Sequence, residues 1–266
     1  MQIRVPREIT EAAVNAGTAK ATLTVNSLPR LMLASCLAGA YIAFGGILSL
    51  IVGYGFPEIT AANPSLQKLL SGCMFPIGLI LVVTLGAELF TGNNALLIPS
   101  WTRGNHGFGT VIRNWTLVYL GNFIGAILFT YIMVYACGLT AAGPYHTAIV
   151  SIAKAKVSMP WLTVLIKGIG ANWCVCLAVW LALAGKTFFE KALGCWLPVM
   201  AFVALGYEHS IANMFFIPLG MMEGADVGVW EAVWCNLIPA TIGNIIGGAL
   251  LVGAVYTYLH EIRQKD

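Results

Sequence analysis

The chain has 266 residues, of which only 9% are Asp, Glu, Lys or Arg and 59% belong to the apolar set; its mean hydropathy is +0.83. A soluble domain carries roughly 25% charged residues, so these few cannot cover a water-facing surface, and so apolar a composition excludes disorder. The net charge of +3, with no run of Lys or Arg, gives no sign of a nucleic-acid partner, and a membrane protein of several spans remains.

The opening segment carries Arg4, Arg7, Glu8, Glu11, Lys20 and Arg30 without an apolar core stretch, so it does not read as a signal peptide. Within it, Pro6–Thr22 reads as a short amphipathic helix on the membrane surface. Pro6 suits a first helical turn, acids follow at Glu8 and Glu11, and Ile9, Ala12, Ala13 and Ala16 share a face. Six apolar runs follow, each near the about 20 residues a crossing helix needs. They are roughly Leu31–Tyr54, Leu69–Pro99, Val111–Cys137, Met159–Ala184, Leu193–Met222 and Ala232–His260. The runs are continuous rather than alternating, which speaks against a β-barrel. The seven cysteines nearly all lie inside these runs, fit no zinc or haem spacing, and read as small membrane hydrophobes. No metal or other cofactor is expected.

Lys and Arg orient such a chain. One side holds Arg4, Arg7, Lys20, Arg30, Arg103, Arg113, Lys186, Lys191, Arg263 and Lys265; the other holds only Lys68, Lys154 and Lys156. Ten against three places both termini in the cytoplasm, as six spans require. The expected organisation is a cytoplasmic segment over 1–30, one transmembrane domain over 31–260 and a cytoplasmic tail over 261–266.

Polar residues interrupt the second and fifth runs near their middles. Gly86, Glu88 and Asn93 match Gly206, Glu208 and Asn213, each 120 residues later. Gly121-Asn122-Phe-Ile124-Gly125 matches Gly243-Asn244-Ile-Ile246-Gly247, 122 residues later. The chain therefore contains two repeats of three spans, about 31–137 and 159–260. Three is odd, so the second copy runs in the opposite sense. Inverted repeats of this kind place a transport site near the midplane, where broken helices meet.

Ionisable groups inside the hydrocarbon face a cavity or a partner. Glu88 and Glu208 occupy equivalent breaks, and a carboxylate there can accept from the exposed backbone N–H groups and tie the break down; direct ion coordination is the other use. Lys167 also falls within a span. His209 has Leu89 as its counterpart and is the one titratable group that breaks the symmetry. Imidazole exchanges a proton near neutral pH, and Thr91 in the opposite break is placed to bond it. Asn172 and Asn213 are further polar candidates along a path. Phe75, Leu79, Leu89, Phe90 and Phe202 lie on the interrupted spans, either as core packing or as apolar constrictions around the polar centre.

Three strings carry a resemblance: Gly206-Tyr-Glu-His-Ser-Ile-Ala-Asn-Met214, Gly86-Ala-Glu-Leu-Phe-Thr-Gly92 and Asn236-Leu-Ile-Pro-Ala-Thr-Ile-Gly-Asn-Ile-Ile-Gly-Gly248. On these the chain resembles the formate/nitrite transporter family over nearly its whole length. The resemblance implies a homopentamer in a bacterial or archaeal inner membrane, with an aquaporin-like protomer that has its own pore. The central histidine of the family falls on His209, its loop threonine on Thr91 and its fourth-span asparagine on Asn172. Its vestibule lysines fall on Lys156 and, with a local insertion, Lys20. Its constriction residues fall on Phe75, Leu79, Leu89, Phe90 and Phe202. The run from Asn213 and the sixth span look most like formate channels, whereas Tyr207 and Lys167 look more like the nitrite branch. Formate is the expected substrate, with nitrite or hydrosulfide as the alternative and acetate and lactate also carried in the family.

A bare anion at the bilayer centre is costly, whereas a protonated small acid is neutral and pays much less. The expected mechanism draws the anion in at Lys156 or Lys20 and protonates it at His209; a charged anion balanced by a transient imidazolium is the rival. Other classes fit poorly. A water or glycerol channel would carry Asn-Pro-Ala at both breaks, and Asn63-Pro64 lies in a loop instead. An enzyme would need a nucleophile–base pair or metal cluster, and His209 and Ser210 are merely adjacent. A purely structural protein leaves the paired breaks without a reason.

Overall fold

The computed structural model of the protein describes residues 3–260, so the tail expected over 261–266 lies outside the described residues. Eleven helices follow in order: α1 Pro6–Asn26, α2 Leu28–Tyr54, α3 Pro57–Ala62, α4 Pro64–Leu85, α5 Phe90–Thr102, α6 Phe108–Tyr135, α7 Gly143–Val157, α8 Trp161–Ala184, α9 Phe188–Ala204, α10 Ser210–Met222 and α11 Val229–His260. Five of them, α2, α4, α6, α8 and α11, are long and apolar enough to cross a membrane. The second and fifth runs, whose middles the sequence reads as interrupted, are each two helices, α4 with α5 and α9 with α10.

Local chemistry sets many of the boundaries. Proline stands in the first turn of α1, α2, α3, α4 and α7, where its missing N–H costs nothing. Thr187 caps α9 by accepting from the Glu190 N–H, and Glu190 returns a bond to the Thr187 N–H. Inside α4, Pro76 cannot donate to the turn before it, and the helix is offset at Phe75–Pro76.

Two close crossings hold the bundle. A Cβ on Gly39 of α2 would stand 2.0 Å from the Asn122 carbonyl oxygen of α6, and one on Gly125 would stand 1.8 Å from that of Cys36. The pair α8 and α11 repeats the arrangement, with Gly243 against the Leu165 carbonyl and Gly247 against that of Ile169. With no hydrophobic drive between helices in lipid, such backbone approach is what packing rests on.

The small-residue face of α1 packs on the bundle rather than lying free: Ala13, Val14, Gly17, Ala21 and Thr24 are buried, with Gly17 against the Leu96 carbonyl of α5. Sequence reading places no element between the third and fourth spans, yet α7 lies there and packs on α10, with Gly220 against Ala153. The repeat unit is thus one helix longer than the sequence matches imply. It comprises α1, α2, α4–α5 and α6, then α7, α8, α9–α10 and α11.

Candidate transport site

The two breaks have the same construction. Gly86 and Gly206 adopt φ of 73° and 69°, the left-handed turn that ends a helix and that only glycine takes without strain. The next N–H in each, Ala87 and Tyr207, reaches back to the carbonyls of Val82 and Phe202. Three extended residues follow in each case, Ala87-Glu88-Leu89 and Tyr207-Glu208-His209, before α5 and α10 begin.

Asparagines of α6 and α11 hold these extended residues. Asn122 donates to the carbonyls of Ser35 and Glu88 and accepts from the Phe90 N–H at 2.9 Å. Asn244 donates to those of Gly168 and Glu208 and accepts from the Ser210 N–H at 2.8 Å. The backbone role expected of the glutamates therefore belongs to Asn122 and Asn244. Their Gly-Asn match marked the repeat but not this function.

The glutamate side chains look elsewhere. Glu88 pairs with Lys20 at 2.9 Å and accepts from Asn93, which is bonded in turn to Asn114. Glu208 pairs with Lys156 at 2.9 Å and accepts from Asn213 and Asn236. Each buried carboxylate is thus matched by one ammonium and by amide donors, as a buried ion pair requires. Asn114 and Asn236 escaped sequence reading, although their 122-residue spacing equals that of the Gly-Asn pair. Lys167 is half-buried against Met159 Sδ and offers its carbonyl to the Glu208 N–H.

At the centre the duplication fails. His209 Nδ1 accepts from the Ala212 N–H at 3.1 Å, so the ring caps the first turn of α10. That bond leaves the hydrogen of the neutral ring on Nε2, which donates to Thr91 Oγ1 at 3.0 Å. Asn172 does not bond His209. It donates to the Thr91 carbonyl at 3.2 Å and the Asn244 carbonyl at 2.6 Å, tying one repeat to the other behind the histidine. Cys176 Sγ also points to the Thr91 carbonyl.

Two cavities lie near this centre and share no lining residue. One, of 230 Å³, is lined by Phe75, Phe202, His209, Asn213, Tyr207 and Lys156. The other, of 340 Å³, is lined by Leu79, Leu89, Asn93, Val179, Lys20 and Arg4. Phe75 and Leu79 are four residues apart on α4, so about 6 Å of helix separates the two linings. Phe202 stacks on the His209 ring at 5.8 Å and meets Phe75 edge-on at 5.8 Å. Phe90 lines neither cavity; it packs against Tyr119 and Trp115.

The Formate/nitrite transporter family model matches residues 7–258. The chain belongs to the formate/nitrite transporter family. That is a family of transporters, not enzymes, and the chain is a multi-pass membrane protein. It is 42% identical to the "Uncharacterized transporter YrhG" of Bacillus subtilis, covering 100% of this chain and 97% of that one. It is 40% identical to the "Probable formate transporter" of Methanothermobacter thermautotrophicus, covering 92% and 97%. A solved "Pentameric formate channel with formate bound" superposes with a TM-score of 0.76 at 31% identity, covering 88% of this chain and 98% of that one.

Proposed function

We propose that this protein conducts formate across the cytoplasmic membrane of a bacterium or archaeon, in either direction and linked to a proton, as a homopentamer whose protomers each hold one path. The observation that carries the proton link is the imidazole of His209, placed where the duplication gives leucine, bonded to Thr91 and bordering a cavity. The substrate rests on the family and on relatives named for formate, and the pentamer on the superposed channel. Both termini face the cytoplasm on the count of Lys and Arg.

The path runs from one cavity past Phe75 and Phe202 to His209 and Thr91, then past Leu79 and Leu89 to the other. Apolar rings lower the local dielectric, which favours the neutral acid over the anion. The positive ends of α5 and α10, which begin at the two breaks, favour the carboxylate until it is protonated. A proton reaching the ring has only Nδ1 to go to, so its arrival and the loss of the Ala212 bond are one event. The Nε2 hydrogen then passes along the Thr91 hydroxyl to a formate oxygen, and formic acid moves on. The ring is left as the Nδ1–H tautomer, and the Ala212 bond re-forms once the hydrogen is returned to Nε2.

Labelled formate uptake into proteoliposomes tests this reading. Uptake far above that of empty vesicles, lost in His209→Asn, is expected. No uptake above the empty control contradicts it.

A further inference from the structure

Lys156 and Lys20 are poor sources of the field that draws an anion into either mouth. Each ammonium stands 2.9 Å from a buried carboxylate, so at a distance each pair is close to neutral. The charges left over are elsewhere. Lys68 lines the cavity that holds Lys156, is exposed, and has no ion-pair partner among the described residues. The cavity that holds Lys20 is lined by Arg4 and Lys191. Arg4 is partly committed, because its guanidinium donates to the carbonyls of Leu183 and Gly185 at the end of α8 and offsets that helix's dipole. Lys191 has no such partner among the described residues. Its neighbour Glu190 is taken up by the N–H groups of Lys186 and Thr187.

The two uncompensated lysines also occupy related places. Lys68 lies in the opening turns of α4 and Lys191 in the opening turn of α9, the helices that lead into the two breaks. A cation near a helix N-terminus is disfavoured by the dipole, so stability gives no reason for either. Building on the transport reading above, we infer that Lys68 and Lys191 are the anion-capturing charges of the two mouths. Lys156 and Lys20 then serve as hydrogen-bonded partners of Glu208 and Glu88. With Arg4 added, the mouth under α1 carries the larger positive charge, so formate is captured better from that side.

Initial rates of labelled formate uptake at sub-saturating formate, in vesicles sorted for one orientation, test this at ionic strengths of about 0.01 M and about 0.15 M. The Debye length there falls from about 30 Å to about 8 Å. Lys68→Gln is expected to lower the low-salt rate from its own mouth about two- to threefold, the size of one screened charge several ångströms away. Lys68→Glu lowers it further, and Lys191→Gln acts in the same way from the opposite mouth. The maximal rate stays at the wild-type value, the difference shrinks at the higher salt, and Lys186→Gln, outside both linings, changes nothing. Unaltered salt dependence in both lysine variants, or a loss confined to the maximal rate, overturns the inference. Absence of formate uptake by the wild type at any salt would instead remove the transport reading on which it rests.

Discussion

His209 Nε2 lies 3.0 Å from Thr91 Oγ1, and this bond joins the two breaks of a duplicated fold at the point where the duplication is not kept. Leu89 stands where the second repeat has His209, and Ile211 stands where the first has Thr91. Around them the duplication keeps Gly86 with Gly206, Glu88 with Glu208 and Asn93 with Asn213. The asymmetric contact is therefore the part of the centre that scaffold needs do not explain.

Thr91→Val keeps the volume of the side chain but removes the acceptor of the Nε2 hydrogen. An unsatisfied buried polar group costs about 1–3 kcal/mol. If that falls on the transport step, formate uptake drops about five- to a hundredfold, while Thr91→Ser keeps most of it. Initial uptake rates of the two variants, at equal reconstituted protein, check this.

The ion pairs predict a stability pattern. Lys20→Met and Lys156→Met each leave a buried carboxylate unpaired, and breaking a buried pair by removing one partner costs about 3–5 kcal/mol. Both variants should unfold at lower temperature in detergent. Replacing both partners, as in Lys156→Met with Glu208→Gln, should restore part of the loss. A double-mutant cycle on unfolding temperature reads the coupling, and additive losses would show that the pair is not coupled.

The glycines separate into two kinds. A methyl group on Gly206 meets nothing within 4 Å, so Gly206→Ala is charged only for the left-handed backbone, about 1–2 kcal/mol. A methyl group on Gly243 would stand 2.2 Å from the Leu165 carbonyl oxygen, so Gly243→Ala must part α8 from α11. Gly243→Ala should destabilise the protein more than Gly206→Ala, as followed by thermal unfolding.

Glu11 ties α1 to the turn after α5 through two bonds to the Arg103 guanidinium, at 2.6 and 2.7 Å. The hydrogen bond to Arg103 holds its carboxyl below the usual carboxylate range. A depressed carboxyl contributes its full stability above its ordinary value and loses it progressively as pH falls from there through the lowered one. Protease protection of α1 should therefore stay constant from pH 7 to the upper edge of the ordinary glutamate range, fall as pH drops from there through the lowered value, and level off below it. Glu11→Gln should weaken protection at neutral pH, modestly, because the pair is exposed.

Much of this was legible in the sequence because membrane helices advertise themselves. Apolar runs, Gly-terminated breaks and the 120-residue identities led to the repeat, to Glu88 and Glu208 at equivalent positions, and to His209 as the odd residue. Other features left weaker signals. Helix α7 is short and carries Lys154 and Lys156, so it lacks the composition of a span. Lys20 and Lys156 are 136 residues apart rather than 120, in largest part because the first repeat has a longer connection between α2 and α4, which holds α3, than the second has between α8 and α9, and their equivalence showed only once each met its glutamate. The polar partners were misjudged for a physical reason. A break exposes both N–H and C=O groups, and an asparagine amide satisfies both, whereas a carboxylate satisfies only donors. That is why Asn122 and Asn244 hold the breaks and leave the glutamates to the lysines.

The proton link is tested most directly by the internal pH of proteoliposomes under an inward formate gradient, with His209→Asn protein and empty vesicles alongside. The account predicts rapid acidification that depends on the protein and is lost with the histidine. Formate entering wild-type vesicles with an electrical current and no acidification would contradict it, since the anion would then be crossing with its charge.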